Sequence, residues 1–184
     1  MSQEYVVLVA GPMGAGKTTA ISTLSEIPVV STDAVNTDLT RNAKATTTVA
    51  LDYGEITLGD GDKVRLYGVP GQERFAFMWR ILERRALGLL LLLDNTAEDP
   101  ISDLEHYLES FKLLVDRGAV VIGVTRSDLQ EQPTLAVYNE SLAQRGRVLP
   151  AFSVDAREPA QMKTMLGALV AMVEARAALV GAVA

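Results

Sequence analysis

The feature that most constrains this 184-residue chain is a glycine-rich turn between a short apolar run and a helix-like segment. The turn reads Gly-Pro-Met-Gly-Ala-Gly-Lys-Thr over residues 11–18, which matches G-x-x-x-x-G-K-[ST] at every fixed position. Glycines there let backbone N–H groups point inward around phosphate oxygens, and the positive end of the next helix favours the same anion. The turn, called the phosphate loop below, predicts a nucleoside triphosphate site.

Individual residues of the phosphate loop have distinct expected roles. Lys17 is expected to reach between the β- and γ-phosphates, and the Thr18 hydroxyl is expected to ligate a Mg²⁺ ion that bridges the same oxygens. The residues expected to contact the nucleotide here are Gly11, Met13, Gly14, Ala15, Gly16, Lys17, Thr18 and Thr19. The loop alone does not distinguish a kinase from a GTPase or a motor ATPase.

Apolar runs alternate with helix-length periodic segments along the whole chain, which predicts an α/β fold. Strands are expected at residues 5–10, 49–58, 64–67, 88–94, 120–125 and 148–152, and helices at 17–26, 75–85, 102–117, 134–145 and 160–180. An Asp-Gly-Asp tip near residue 61 indicates a tight antiparallel hairpin. The expected fold is a three-layer P-loop NTPase sandwich: a mainly parallel six-stranded sheet with one antiparallel edge hairpin and about five helices.

The composition restricts which binding partners and which cellular compartment are expected for this chain. Hydrophobic residues make up 48% of the chain and no repeat or Pro-rich linker divides it, so residues 1–184 are expected to form a single domain. With 17 basic and 23 acidic residues the net charge is −6, which disfavours non-specific binding to nucleic acid. The absence of cysteine suits a reducing compartment, and no run approaches the ~20 apolar residues of a membrane span. These features predict a cytoplasmic protein with no integral membrane segment.

A second motif follows the expected hairpin and carries a family resemblance. Residues 66–75 read Leu-Tyr-Gly-Val-Pro-Gly-Gln-Glu-Arg-Phe, which resembles the second switch, D-x-x-G-Q-E, of the Ras-like small GTPases. The resemblance implies that the Gly71 N–H binds the γ-phosphate and that Gln72 orients the attacking water. Gln72 and Lys17 are then the expected catalytic residues.

The first switch of that family is similar to residues 46–53, Thr-Thr-Thr-Val-Ala-Leu-Asp-Tyr. The resemblance implies that one threonine ligates Mg²⁺ just before a strand, with Thr48 the first choice and Thr47 the second. Three consecutive threonines also fit simple β-propensity, so both interpretations stay open.

Base recognition is the third point of resemblance. Residues 125–128, Thr-Arg-Ser-Asp, resemble the family's N-K-x-D element, and residues 155–157, Asp-Ala-Arg, resemble its S-A-K loop. A carboxylate at Asp128 can accept two hydrogen bonds from guanine N1 and N2, which adenine does not offer. The residues implied to contact the base are Thr125, Arg126, Asp128, Asp155, Ala156 and Arg157.

One position departs clearly from the family pattern. Gly68 stands where the family carries the aspartate that holds a magnesium-bound water. Asp94 at the end of an apolar strand and Asp33 in the polar segment 31–48 are possible substitutes, although Asp94 equally suits a turn cap. A non-aspartate before Val-Pro-Gly-Gln, together with Thr-Val-Ala-Leu-Asp-Tyr-Gly, resembles the bacterial Ras-like GTPases of the gliding-motility and conservon kinds.

The resemblance implies a slow GTPase that acts as a switch for a protein partner, such as a roadblock-type regulator or a GTPase-activating protein. Arg41 or Arg74 could neutralise transition-state charge, or each could be a solvated surface charge. The aromatic and Met residues after the second motif suit either core packing or a partner surface: Phe75, Phe77, Met78 and Trp79. Two alternatives remain, a nucleotide-binding scaffold with little hydrolysis and a P-loop kinase for a small metabolite.

Overall fold

A computed structural model describes residues 3–35, 48–59 and 61–181, with side chains for all of these except 32–35, 48–50, 180 and 181. The strands in this part of the chain are β1 (Glu4–Ala10), β2 (Val30–Val35), β3 (Thr48–Thr57), β4 (Lys63–Gly68), β5 (Gly88–Asp94), β6 (Val120–Thr125) and β7 (Ala151–Ser153). The helices are α1 (Lys17–Leu24), α2 (Ala76–Glu83), α3 (Pro100–Ser110), α4 (Lys112–Asp116), α5 (Leu135–Gln144) and α6 (Pro159–Gly181), and a short 3₁₀ turn (Glu73–Phe75) precedes α2.

The strands form one sheet in the order β2-β3-β4-β1-β5-β6-β7. Strands β4, β1, β5, β6 and β7 run parallel, whereas β3 is antiparallel to both β2 and β4. The predicted α/β fold, its mainly parallel sheet and its antiparallel edge are therefore confirmed. The sheet has a strand more than the six expected, because residues 30–35, most of them in the polar segment 31–48 where no strand was expected, pair with β3 at the sheet edge.

Helices cover both faces of the central strands. Alternate residues of β1 and β5 point to opposite faces, where one hydrophobic cluster includes Leu8 and Leu91 and the other includes Val9 and Leu92. All seven residues of β5 are buried, as expected for a parallel strand between two helical layers. The prediction that both faces are covered is confirmed.

Two element boundaries differ from expectation. The segment expected as one helix over 102–117 forms α3 and α4, because Phe111 leaves helical backbone angles where its buried ring stacks on Trp79. Strand β7 begins three residues later than expected, and Val148 is 96% exposed. Its hydrophobicity indicated a strand that it does not join.

The topology places one end of β1 at the centre of the molecule. From β1 the chain passes through α1 to the β2-β3-β4 side, then crosses β1 to build the β5-β6-β7 side. In such open sheets, ligands bind beyond the carboxyl ends of the strands at the point where the order reverses. In the described ranges, no helix combines the length and apolarity needed to cross a bilayer.

Candidate nucleotide-binding site

The phosphate loop connects β1 to α1 at this switch point, and its backbone requires glycine. Gly11, Gly14 and Gly16 all have positive φ angles, of 144°, 86° and 97°. A Cβ at Gly11 would lie 2.0 Å from the carbonyl oxygen of Leu92, whereas one at Gly14 would meet nothing within 4 Å. The glycine at position 11 is thus fixed by both its backbone angle and its contact with β5.

Lys17 lies folded over the phosphate loop. Its ammonium donates hydrogen bonds to the carbonyl oxygens of Gly11 at 2.8 Å and Pro12 at 2.7 Å. Burial lowers the pKa of Lys17 from 10.5 to about 8, and the negative charge of Asp52 opposes this shift. Lys17 is therefore still mostly protonated at pH 7, where the carbonyls of the loop accept its hydrogen bonds, and it loses its proton near pH 8.

A cavity of about 420 Å³ lies beside the phosphate loop. Three separate segments meet there: the loop with the start of α1, the end of β6, and the connection from β7 to α6. The lining residues are Gly14, Ala15, Gly16, Thr19, Thr125, Arg126, Asp128, Leu129, Asp155, Ala156 and Arg157. All three segments that the sequence assigned to phosphate and base binding thus come together around one cavity.

Thr125 is buried at the base of this cavity, and its hydroxyl is occupied by backbone. Its Oγ1 lies 3.2 Å from the carbonyl oxygen of Ala15 and 3.1 Å from that of Leu93. Because the hydroxyl has one proton, it donates to one of these acceptors at a time. Thr125 consequently ties the phosphate loop to β5.

Arg126 and Asp94 form an ion pair beside the cavity. Arg126 has a φ angle of 58°, the left-handed conformation that non-glycine residues rarely adopt. The other oxygen of Asp94 accepts hydrogen bonds from the backbone N–H of Thr96 at 2.9 Å and its hydroxyl at 2.6 Å. Asp94 therefore caps a turn and pairs with Arg126, the turn-cap interpretation left open by the sequence.

The remaining charged residues lie at the cavity rim. Asp128 is exposed there, and Arg157 pairs with Asp155 at 2.6 Å. Hydrogen bonds from Arg157 lower the pKa of Asp155 to about 2. The rim therefore carries the side chains of two aspartates and two arginines.

The loop of residues 69–72, called the Gly71 loop below, packs directly on the phosphate loop. A Cβ at Gly71 would lie 2.8 Å from both the carbonyl oxygen of Gly11 and the backbone nitrogen of Met13. Trp79 donates a hydrogen bond from Nε1 to the carbonyl oxygen of Pro70 at 3.0 Å, and the Tyr107 hydroxyl reaches that of Gly71 at 3.3 Å. Helices α2 and α3 thus hold this loop, and the side chain of Gln72 within it is exposed.

The aromatic residues that follow the Gly71 loop divide between core and surface. Trp79 is 1% exposed and stacks on Tyr107 at 5.4 Å between ring centroids, and Phe75 is also buried. Phe77 is 46% exposed. The core interpretation therefore holds for Trp79 and Phe75, and the surface interpretation remains available to Phe77.

Several residues singled out from the sequence are not among the described residues that line the cavity. Thr47 and Arg41 lie outside the described residues, and Thr48 and Asp33 lie on β3 and β2 at positions whose side chains are not described. The guanidinium of Arg74 lies over the Phe75 ring, 4.7 Å from its centroid.

Three polar or apolar contributors at the site were not identified from the sequence. Leu129 lines the cavity although it is 72% exposed, and buried Asn95 donates a hydrogen bond to the Gln130 carbonyl oxygen at 2.6 Å, which holds the following loop. Asp52 on β3 accepts a hydrogen bond from the Thr18 hydroxyl. One signal in the sequence could have indicated Asp52. It is a polar residue in an expected strand, and the pairing of β3 with β4 places it opposite Gly68.

Comparison with known proteins agrees with this geometry. A model of the family described as conserved hypothetical ATP binding protein matches residues 28–177, a range that begins after the phosphate loop. An uncharacterized protein of Methanocaldococcus jannaschii is 30% identical over 141 residues, which cover 74% of this chain and 79% of that protein.

Two further relatives match at lower identity. Ras-related protein Rab-27A of Rattus norvegicus is 27% identical over 146 residues, which cover 70% of this chain and 61% of that protein. GTP-binding protein ypt4 of Schizosaccharomyces pombe is 26% identical over 141 residues, which cover 71% and 55%. The chain thus spans less than two thirds of the length of these two relatives. It is a P-loop nucleotide-binding protein and belongs to the family described as conserved hypothetical ATP binding proteins.

Proposed function

We propose that the chain is a Ras-like GTPase that binds GTP and GDP with Mg²⁺, hydrolyses GTP slowly and reports its nucleotide state to a protein partner. The observation that carries this proposal is the close packing of the Gly71 loop on the phosphate loop, so close that a Cβ added at Gly71 would lie 2.8 Å from the Gly11 carbonyl oxygen. A segment this close to the phosphate loop can respond to the presence of a γ-phosphate. The names of the Rab-27A and ypt4 relatives support the same class.

Selection of guanine is proposed to depend on Asp128 at the rim of the cavity. Its carboxylate offers acceptors for guanine N1 and N2, and the planar guanidinium of Arg126 offers a surface on which a base can stack. The backbone N–H of Ala156 is proposed to bind the guanine carbonyl oxygen.

Hydrolysis is proposed to depend on Gln72 and Lys17. Gln72 is exposed next to Gly71, and a neutral amide can both donate to and accept from a water molecule. Lys17 supplies positive charge at the phosphate oxygens, together with the Thr18 hydroxyl and, in our proposal, Thr48 toward Mg²⁺. When bound, Mg²⁺ would neutralise charge that develops on the β- and γ-phosphates.

A partner surface is proposed on α2 because apolar side chains next to the Gly71 loop face solvent. Phe77 and Ile81 are 46% and 62% exposed, and both lie on the helix that follows this loop. A roadblock-type regulator or a GTPase-activating protein is the proposed kind of partner, by resemblance to the bacterial gliding-motility and conservon GTPases. The same resemblance and the cysteine-free sequence support a cytoplasmic location.

Single-turnover release of phosphate from GTP tests this function. Gln72→Ala should lower the rate at least about tenfold while GDP affinity is retained, because the change removes the proposed water-orienting amide. Gln144→Ala, an exposed glutamine on α5, should leave the rate unchanged. Equal rates in wild type and Gln72→Ala would contradict the catalytic role of Gln72.

A second candidate is a nucleotide-binding scaffold with little hydrolysis. Two observations favour it: Thr125 uses its hydroxyl on the backbone of Ala15 or Leu93, and Gly68 provides no carboxylate. The family description also names ATP rather than GTP. Tight binding of GTP or ATP without phosphate release from wild type would support this candidate over the GTPase.

A further inference from the structure

A carboxylate from β3 contacts the phosphate loop at its magnesium-binding hydroxyl position. Asp52 accepts a hydrogen bond from the Thr18 hydroxyl through one oxygen and from the Ser31 hydroxyl, at 3.0 Å, through the other. Asp52 is half-buried, and its charge reaches Lys17, where it raises the pKa against the effect of burial. The charge of Asp52 therefore acts on the phosphate loop, although Asp52 lies on an antiparallel strand, 34 residues after Thr18.

Strand pairing explains why the carboxylate comes from this position. Asp52 and Gly68 are directly opposite each other in the β3–β4 pair. A Cβ at Gly68 would lie 2.8 Å from Cδ1 of Ile21 and 3.1 Å from Cβ of Asp52. The space that a side chain at position 68 would need is thus filled by α1 and by Asp52, and β3 supplies the carboxylate instead of β4.

The other described carboxylate weighed for this role has different partners. Both oxygens of Asp94 are engaged, one by Thr96 and the other by Arg126. Within the described ranges no three acidic, His or Cys side chains gather into a metal cage. Mg²⁺ in nucleotide sites is normally held by one or two protein oxygens, phosphate oxygens and water, so a hydroxyl with one neighbouring carboxylate suits it.

We propose that Asp52 positions Mg²⁺ at the phosphate loop, in place of the aspartate that the Ras-like pattern carries at position 68. The inference rests on the proposed function, since it requires a nucleotide with Mg²⁺. Asp52 takes the proton of the Thr18 hydroxyl in a hydrogen bond, which leaves the lone pairs of that oxygen for the ion. It also offers an acceptor to the hydration shell of the ion.

Electron paramagnetic resonance of Mn²⁺ titrated into the GDP-saturated full chain tests this role without any measurement of hydrolysis. Asp52→Asn should weaken Mn²⁺ affinity about 10–100-fold, the usual effect of losing an outer-shell carboxylate, while GDP affinity measured in EDTA stays at the wild-type value. Glu55→Gln is the matched control, because it removes a carboxylate from the same strand that pairs with Lys63 instead of Thr18. Glu55→Gln should bind Mn²⁺ as wild type does.

The design separates failure of this inference from failure of the proposed function. If wild type binds no GDP in EDTA or in Mg²⁺, both are overturned. If wild type binds GDP but Mn²⁺ affinity is equal in Asp52→Asn and wild type, or is lost in Asp94→Asn alone, the role of Asp52 is overturned. The Mn²⁺ affinity of Asp52→Ala is measured as well, and thermal melting shows which of the two variants is folded. Either folded variant is enough to decide the result.

Discussion

The two halves of the sheet on either side of β1 are built differently. Strands β5, β6 and β7 run parallel to β1, and β5 and β6 are buried at every position. Strands β2, β3 and β4 include all the antiparallel pairs, and β3 and β4 bury only alternate or scattered positions. The β5–β7 half is an apolar frame beside the cavity that Thr125, Arg126 and Asp128 line, whereas the β2–β4 half presents the polar side chain of Asp52 to the phosphate loop.

The two halves of the sheet differ in how they contact the phosphate loop. On the β5–β6 side, Thr125 stays at its expected position and bonds to backbone around it. On the β3–β4 side, Asp52 contacts the phosphate loop, whereas a side chain at the opposite position, Gly68, would meet Ile21 and Asp52. In the buried half the polar contact with the phosphate loop comes from Thr125 at the end of β6. In the polar half it comes from Asp52 on β3.

The largest expected effect contrasts one residue from each half. Leu91→Ala removes a fully buried side chain from β5 and should lower the free energy of unfolding by about 2–5 kcal/mol. Thr57→Ala changes an exposed side chain on β3 and should alter it by no more than about 0.5 kcal/mol. Urea unfolding followed by circular dichroism measures both, and equal losses would remove the distinction between the halves.

The next effect concerns the contact between β5 and the phosphate loop. Gly11→Ala should lower the free energy of unfolding by about 2–4 kcal/mol, because its Cβ would meet the Leu92 carbonyl oxygen at 2.0 Å and its φ angle is strained for alanine. Gly14→Ala is the control, with a positive φ angle but open space, and should cost about 1 kcal/mol. Similar losses for both would mean that backbone strain alone explains Gly11.

The pH dependence of nucleotide affinity tests the charge balance at Lys17. Without phosphate, its pKa is about 8, and bound phosphate should raise it. Binding therefore takes up a proton, so GDP affinity should be highest below pH 8 and about tenfold weaker near pH 9. Calorimetry in two buffers of different ionisation enthalpy measures the proton uptake. An affinity independent of pH across this range would show that Lys17 is already fully charged.

The smallest effect is expected at Thr125. Thr125→Val keeps the shape but removes the hydroxyl, so it should lower the free energy of unfolding by about 1 kcal/mol. Thr125→Ser keeps the hydroxyl and should retain the nucleotide affinity of wild type, which fluorescence titration with labelled GDP measures. Weaker binding in Thr125→Ser than in Thr125→Val would contradict the assignment of Thr125 as an anchor for the phosphate loop.

The parts of the fold encoded in local patterns were predictable from the sequence. Strand β5 matches the expected 88–94 because a short, nearly unbroken apolar run is typical of a strand covered on both faces, and the phosphate loop is defined by its own glycines. Strand β2 was not predictable, since its polar sequence gains strand geometry only by pairing with β3. Val148 was wrongly predicted to lie in a strand. It is an exposed loop residue, and an apolar side chain in a loop can face solvent.

Within the site, the residues that follow one another in a motif could be identified from the sequence, whereas contacts between residues on different strands could not. The residues at the end of β6 and in the β7–α6 connection were identified by their order, and the structure brings them to one cavity. Asp94 and Asp33 were the possible substitutes for the aspartate missing at Gly68, yet the carboxylate that contacts the Thr18 hydroxyl is that of Asp52, and this contact depends on the β3–β4 register. Register is set by pairing over the whole strand, and no single motif records it.

Calorimetric titration of the nucleotide-stripped full chain with GDP, in parallel with ADP, tests the central claim most directly. We expect saturable binding of one GDP per chain, markedly weaker binding of ADP, and loss of the GDP signal in Lys17→Ala. Absence of heat with both GDP and GTP, in folded protein and with Mg²⁺ present, would contradict it.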